Sequence, residues 1–342
     1  MSDRDGIEFE EEAELRVVDD ATQPSRAFAK TAKGWVGVVA NANSGLGNSR
    51  KRIDRLLENL ARRGLNPRVA WSVEERAELA REGSRDDDCV CLTAVGGDGT
   101  VAALINERPS VPIAVLPTGT ENLFARYFGF DKNPESLAET IAQGRTARID
   151  VGLAGARRFG LMAGIGFDAD VVSRHHAARI AHNGKPGPTH RVAYVLPVLS
   201  ASLSYRFPLL TVKILDAGRE ETIEGTTVFV FNLPSYALAL PIAPTARADD
   251  GLLDLIVLRD PGPFQALYYL WLAFRGVHLR NPGVTHRRVR KVSIEANEMV
   301  PVQLDGDPGG VIDNSPWTAE VAASAVDVIV PAGYHIPKGE IA

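Results

Sequence analysis

The chain has 342 residues, 45% hydrophobic and 24% charged, which is ordinary globular material with length enough for two cores. Its 38 Lys and Arg against 43 Asp and Glu give a net charge of −5, which argues against broad nucleic-acid binding. No apolar run approaches the roughly 18 residues that cross a bilayer and no leader pattern is seen, so a soluble, cytoplasmic protein is expected; Cys89 and Cys91 read as small core residues rather than a disulfide framework or metal site.

Residues 1–33 are expected to lie outside the fold. The stretch Glu8-Phe9-Glu10-Glu11-Glu12-Ala13-Glu14 crowds like charges, which predicts a solvated tail; an autoinhibitory flap pairing with basic residues is the alternative. A first strand is predicted over Trp35–Ala40, followed by the turn Asn41-Ala42-Asn43-Ser44-Gly45-Leu46-Gly47-Asn48. The helix Ser49–Arg63 sets Ile53, Leu56, Leu57 and Leu60 at helical spacing and is stopped by Gly64. A strand over Pro67–Trp71, a helix over Val73–Glu82 and the apolar run from Cys89 repeat the unit. This alternation predicts a mainly parallel sheet with helices on both faces.

The run Cys89-Val90-Cys91-Leu92-Thr93-Ala94-Val95 ends abruptly in Gly96-Gly97-Asp98-Gly99-Thr100. Its apolar residues suit a strand covered on both faces, and three glycines in four positions let backbone N–H groups approach an anion with no Cβ in the way. Thr100 is placed to cap the helix Val101–Ile105, whose positive end would face a phosphate, and Asp98 suggests a cation between carboxylate and phosphate. A tight turn chosen for steric reasons would use the same glycines. The neighbouring strand Ile113–Leu116, however, ends in Pro117-Thr118-Gly119-Thr120-Glu121-Asn122, again small and hydroxylated residues opening a helix. In open α/β sheets ligands sit outside the carboxyl ends of adjacent strands, so the two turns together point to a nucleotide.

From Ile149-Asp150-Val151-Gly152 the texture changes to short strands, predicted over Arg158–Ala163, Pro208–Leu215, Glu224–Phe231, Leu252–Leu258 and Lys291–Ala296, the pattern of an antiparallel sandwich or barrel. One helical interruption, Asp170 to Tyr205, carries His175-His176, which point in different directions and predict no metal site. Phe264–Phe274 is apolar nearly all round and is followed by Arg275, His278, Arg280, His286, Arg287, Arg288, Arg290 and Lys291. A core helix with a basic loop is the first reading, and a helix lying on an anionic membrane is the second. Asp305-Gly306 reads locally as a hairpin turn, and a final strand over Ala325–Val330 is expected to pair with one of the sheets.

The glycine turn at 96–100 and the segment Pro117-Thr118-Gly119-Thr120-Glu121-Asn122-Leu123-Phe124-Ala125-Arg126 together resemble the diacylglycerol kinase catalytic-domain family, which includes the soluble bacterial lipid kinases and the sphingosine kinases. Gly164-Ile165-Gly166-Phe167-Asp168-Ala169, Asp249-Asp250-Gly251-Leu252-Leu253-Asp254 and Val302-Gln303-Leu304-Asp305-Gly306-Asp307 extend the likeness over most of the chain from Trp35. The resemblance implies an α/β plus all-β protein: a parallel-sheet nucleotide-binding domain (34–150), an antiparallel β-sandwich domain for a lipid substrate (151–324), and a terminal strand and tail (325–342) returning to the first domain. It implies transfer of the γ-phosphoryl group of ATP, with Mg²⁺, to a lipid hydroxyl of diacylglycerol or sphingoid type. Carried over residue by residue, it assigns Asn41, Asn43, Ser44, Gly45, Gly96, Gly97, Asp98, Gly99, Thr100, Thr118, Gly119, Thr120 and Asn122 to ATP. It assigns Asp98 and Asp150 to the metal network and Asp250 to a separate structural cation, with an Asp-Asp-Gly turn as the alternative for Asp250, and it assigns Asp305 with Asp307 to catalysis, Asp305 taking the proton of the acceptor hydroxyl.

The chain departs from the family pattern at two positions. It reads Asp-Gly-Asp at 305–307 where the family commonly has Asp-Gly-Glu, and Leu123 where many members carry an aspartate of the metal-linked network. These departures motivate a second reading, a lipid-binding or regulatory protein with the kinase fold and weakened chemistry. A relative of the NAD kinases, which share the glycine motif, is a third. Peripheral contact with an anionic membrane is an expectation of the kinase reading, and a homodimer is left open.

Overall fold

The computed structural model describes residues 34–40, 48–181, 204–216 and 218–335. The acidic extension, the turn residues Asn41, Asn43, Ser44 and Gly45, and the later part of the helix expected to reach Tyr205 lie outside the described residues.

The first half alternates as expected: β1 (Trp35–Ala40), α1 (Asn48–Arg62), β2 (Asn66–Ala70), α2 (Val73–Arg85), β3 (Cys89–Gly96), α3 (Asp98–Asn106), β4 (Ile113–Pro117), α4 (Leu123–Tyr127), α5 (Pro134–Gln143) and β5 (Thr146–Ala154). Strands β2-β1-β3-β4 lie parallel in that order. Each helix has a local cause. Ile53, Leu56 and Leu60 bury one stripe of α1, a reciprocal Ser72–Glu75 capping box starts α2, and Asn133 with Pro134 starts α5, which Gly144 ends at φ +66°.

The second half comprises β6 (Arg157–Phe159), β7 (Met162–Gly166), α6 (Phe167–Ala181), β8 (Leu210–Asp216), β9 (Arg219–Gly225), β10 (Thr227–Phe231), β11 (Ser235–Tyr236), β12 (Leu240–Pro241), β13 (Leu253–Leu258), α7 (Pro263–Phe274), β14 (Val284–Val289), β15 (Lys291–Ala296), β16 (Val300–Leu304), β17 (Asp307–Ile312) and β18 (Trp317–Ile329). One sheet runs β14-β13-β10-β7-β16-β17 and faces the antiparallel strands β18-β15-β8-β9. Val212, Ile214, Val228, Val230, Val257, Val292 and Val302 close the core between them. Two expected strands are each split in the structure. Arg158–Ala163 breaks at Gly160-Leu161, whose amides leave the ladder for a carboxylate. Glu224–Phe231 breaks after Gly225, where the chain crosses between sheets so tightly that a Cβ would stand 2.4 Å from Val257 Cγ1.

The expected terminal strand Ala325–Val330 is the second half of the 13-residue β18. Its first residues pair antiparallel with β15, its later ones antiparallel with β5, and Val328 lies parallel to Ile113 of β4, so one strand joins the sandwich to the parallel sheet. A bulge between Ala322 and Val326, with Ser324 at φ +51°, bends it at the junction.

Helix α7 is not the core helix of the first reading. Only Tyr269, Leu272 and Ala273 are buried; Phe264, Leu267, Tyr268, Leu270, Trp271 and Phe274 are exposed. Three members of the basic cluster are drawn into ion pairs, Arg287 with Glu221 at 2.8 Å, Lys291 with Glu320 at 2.9 Å and Arg288 with Asp250, and His286 Nε2 lies 2.7 Å from Asp254 Oδ1. His278 is buried, its Nε2 2.7 Å from the Ile242 carbonyl.

Candidate active site

Strand β3 ends in the glycine turn and α3 begins at once. Gly97 is its N-cap residue, with no side chain capping the helix. Thr100 is therefore not the cap expected from sequence. It lies in the first turn and folds back over Gly96, where a Cβ would come within 2.0 Å of its Oγ1. The free helix end and the bare glycine backbone leave amide donors without intrahelical partners, the arrangement that receives phosphate oxygens. Gly99 is open, with only Asp307 Oδ2 near the position of a Cβ, at 3.7 Å.

The second turn is built against the first. Thr118 N–H donates to the Gly96 carbonyl at 2.9 Å, and a Cβ on Gly119 would sit 2.6 Å from Gly97 Cα. Asn122, at φ +51°, is committed to shaping this loop: its Oδ1 accepts the Gly119 N–H at 2.9 Å and its Nδ2 donates to the Gly119 carbonyl at 2.7 Å. Thr120 is exposed beside it. Asp98 links the turns, accepting the N–H groups of Leu123 and Phe124 at 3.0 Å each and so capping α4 from a different helix. At position 123 it is thus the backbone amide that engages the acidic network, which a leucine supplies as well as an aspartate. Burial holds the Asp98 carboxyl above its ordinary value, opposed by the Phe124 and Leu123 amides and its own, and assisted by the neighbouring Glu121.

Asp305 enters from the second domain, in the turn between β16 and β17, with φ +53°. Its carboxylate accepts three amide hydrogens: Gly160 on Oδ2 at 2.7 Å, and Leu161 and Met162 on Oδ1 at 2.8 and 3.0 Å. A turn residue chosen only for its backbone would not need that cradle. Burial lifts the carboxyl from 3.8 to about 6 against the three amides, and the negative charge of Asp98 adds to the rise. Residues 207 positions apart are thereby brought to one site. Asp307 is exposed at the start of β17, on the side of Gly99.

Asp150 and Asp250 belong to a different place. Asp150 is buried; Oδ2 accepts the Gly251 N–H and Oδ1 the Ser324 N–H, both at 2.7 Å, so it pins the bulge of β18 to the 249–251 turn. Asp250 accepts the Leu252 N–H at 3.0 Å and pairs with Arg288. Asp150 and Asp250, expected to serve the metal network and a separate structural cation, meet at the 249–251 turn, where the Asp-Asp-Gly turn is the alternative reading of Asp250, and among the described residues no three His, Cys, Asp or Glu side chains converge on a point.

The model of the diacylglycerol kinase catalytic domain matches residues 36–154, and that of the YegS C-terminal NAD kinase beta sandwich-like domain matches residues 162–330. A diacylglycerol kinase of Mycobacterium tuberculosis is 32% identical over 314 residues, covering 87% of this chain and 96% of that protein. The chain belongs to the diacylglycerol kinase catalytic-domain family. A protein of Chromohalobacter salexigens named probable lipid kinase YegS-like is 26% identical over 296 residues, covering 80% of this chain and 86% of the relative. A solved structure of a diacylglycerol kinase from Bacillus anthracis has the same fold, with a TM-score of 0.62 at 19% identity over 88% of this chain and 97% of that one.

In this member of the diacylglycerol kinase family, the turn of Asp305 has a polar support that sequence reasoning missed. Gln303 is buried, with Oε1 accepting the Gly306 N–H at 2.8 Å and Nε2 donating to Asp168 Oδ2 at 3.0 Å; the other Asp168 oxygen accepts from the Tyr236 hydroxyl. Burial raises the Asp168 carboxyl above its ordinary range. Asn232, fully buried, donates through Nδ2 to the carbonyls of Asp150 at 3.0 Å and Gly160 at 2.9 Å, joining the domain junction to the segment that holds Asp305. The signal available in sequence was a glutamine in an otherwise apolar strand, two positions before the aspartate.

The residues present fit a nucleoside triphosphate at the uncapped α3 end. For Mg²⁺ they offer Asp98 beside that end, matching the one or two carboxylates that this ion takes along with phosphate oxygens. Asp98 and Asp150 alike have both oxygens on backbone amides, and what sets Asp98 apart is its place at the open end of α3, whereas Asp150 is tied to the 249–251 turn and the bulge of β18.

Proposed function

We propose that the protein is a lipid kinase that transfers the γ-phosphoryl group of ATP to a lipid hydroxyl, with Asp305 as general base. The observation that carries this reading is the Asp305 carboxylate, fixed by three amides at the junction of the two domains and raised to about 6, beside Asp98. A base with that value is ionised at neutral pH yet basic enough to take a proton as the hydroxyl attacks. Magnesium-bound ATP would supply the electrophilic phosphoryl group. The amides of Gly97 and Gly99 orient and neutralise phosphate oxygens, Asp98 offers a carboxylate to the cation, and Gln303 and Gly160–Met162 hold Asp305 in place. The names of the matched relatives support a lipid acceptor of the diacylglycerol kind.

The second reading, a lipid binder with weakened chemistry, is favoured by Leu123 and by the shorter carboxylate of Asp307. Incubating the purified protein with ATP, Mg²⁺ and detergent-solubilised diacylglycerol, sphingoid bases and other lipid alcohols separates the two. The kinase reading expects a phosphorylated lipid formed at one per ATP consumed. ATP binding by calorimetry with no phosphorylated product from any lipid supports the second reading. No ATP binding at all overturns both.

A further inference from the structure

Helix α7 has twelve residues without a charge, and both of its faces are apolar. Tyr269, Leu272 and Ala273 fasten one face to the domain, with the Tyr269 hydroxyl donating to Asp260 Oδ2 at 2.6 Å. On the opposite face Phe264, Leu267, Trp271 and Phe274 recur at helical spacing, and Phe264, Trp271 and Phe274 are 86%, 54% and 75% exposed. Single exposed apolar residues are ordinary on a protein surface, but a contiguous aromatic stripe marks an interaction site.

The charges around the stripe identify the partner. From Pro261 to Ile294 the sequence contains no Asp or Glu. Arg275 is exposed beside the stripe, its guanidinium 5.8 Å from the Trp271 ring centre, and Arg280, six residues past the helix end, is exposed as well. The exposed Asp260 at the start of the helix is engaged by Tyr269 and Gln265 of α7, and the stripe itself carries the Trp271 indole N–H with the Tyr268 hydroxyl nearby, amphipathic groups suited to lipid head groups. The helix is about 18 Å long, too short to span a bilayer, and no helix among the described residues is long and apolar enough to do so.

We infer that α7 docks the protein on an anionic bilayer, lying in the plane of the interface with Phe264, Leu267, Trp271 and Phe274 among the acyl chains and Arg275 and Arg280 at the head groups. The helix packs against β12, and β12 pairs with β11, whose Tyr236 reaches Asp168 and thence Gln303 and the Asp305 turn. Docking therefore holds the sandwich side of the site against the phase in which a lipid acceptor resides. That last consequence rests on the kinase reading, whereas the docking itself does not.

Flotation with phosphatidylglycerol-containing and pure phosphatidylcholine vesicles, without nucleotide or lipid acceptor, tests the inference. The protein is expected to float with the anionic vesicles, less with the neutral ones, and less as salt rises. Replacing Phe264, Trp271 and Phe274 together by Ser should weaken binding about 1000-fold, with the melting curve and ATP affinity retained. Phe264→Ser alone, at the most exposed position, should weaken it about tenfold and guards against a folding defect in the triple variant. Arg275→Gln with Arg280→Gln should cost about 30-fold on anionic vesicles only. The inference is overturned by a wild-type protein that ignores both vesicle types, by variants that float as well as wild type, or by a concentration-dependent dimer that the triple variant abolishes. Since these vesicles carry no acceptor, loss of the kinase reading leaves the result unchanged, and failure of docking leaves turnover on detergent-solubilised lipid intact.

Discussion

Asp305→Asn separates chemistry from architecture, because the two effects have different pH signatures. The native carboxylate accepts one amide on Oδ2 and two on Oδ1. An asparagine has one oxygen, so its NH₂ group faces at least one of those donors however it is turned, and a buried N–H left unpaired costs about 1–3 kcal/mol. Good tolerance of Asn, as expected for a simple Asp-Gly hairpin turn, is therefore not what this cradle allows. Against that loss stands the cost of ionising the wild-type group. Its carboxyl is raised from 3.8 to about 6, and at about 1.4 kcal/mol per pH unit the folded state gives up about 3 kcal/mol to carry the charge. Between about pH 4 and 6 the folded protein holds a proton that the unfolded chain releases, so wild-type stability falls as pH rises through that window. The variant lacks this slope. Urea denaturation should find it well below wild type at pH 4.5, with the gap narrowing by pH 8. If Asp305 is the base, turnover by the variant should fall about 10²–10⁴-fold with little change in ATP affinity, and wild-type kcat/KM should drop about tenfold per unit below pH 6. A wild-type profile flat from pH 5 to 7.5, or a variant within tenfold of wild-type rate, would refute the assignment.

Other substitutions probe the surrounding parts. Gly99→Ala adds a methyl whose nearest neighbour is Asp307 Oδ2 at 3.7 Å; helix propensity should stabilise the fold by up to about 1 kcal/mol, while ATP affinity measured by calorimetry should fall about tenfold as the methyl obstructs phosphate. Gly119→Ala sets a Cβ 2.6 Å from Gly97 Cα, so the two turns must part, with about 1–3 kcal/mol lost in thermal denaturation. Asp98→Ala leaves the Leu123 and Phe124 amides without their acceptor and should cost about 1–3 kcal/mol; Asp98→Asn, by removing a negative charge, should move the Asp305 inflection to lower pH in the rate profile. Gln303→Leu removes the acceptor of Gly306 and a donor to Asp168, and should lower kcat while the ATP dissociation constant holds.

Local chemistry made much of the chain legible. The spacing of Ile53, Leu56 and Leu60, the Ser72–Glu75 capping box and the glycines after β3 specify strands, helices and turns through contacts a few residues apart, and periodicity registers such contacts directly. The two turns at 96–100 and 117–122 were recognisable as neighbours because parallel strands joined by a helix bring their carboxyl ends together. What the sequence could not show is how distant groups divide their hydrogen bonds. Asp98 opens α3 and Asp150 lies in the middle of β5; one caps α4 beside the nucleotide turn and the other secures the bulge of β18, and only the backbone amides brought to each decide which. Asp305 had the appearance of a turn residue until Gly160, Leu161 and Met162, more than 140 positions earlier, were seen to donate to it. The apolar residues of α7 are as hydrophobic as a core helix requires, but burial is a property of what packs against a face. Tertiary structure covers one side of that helix and leaves Phe264, Trp271 and Phe274 in the open.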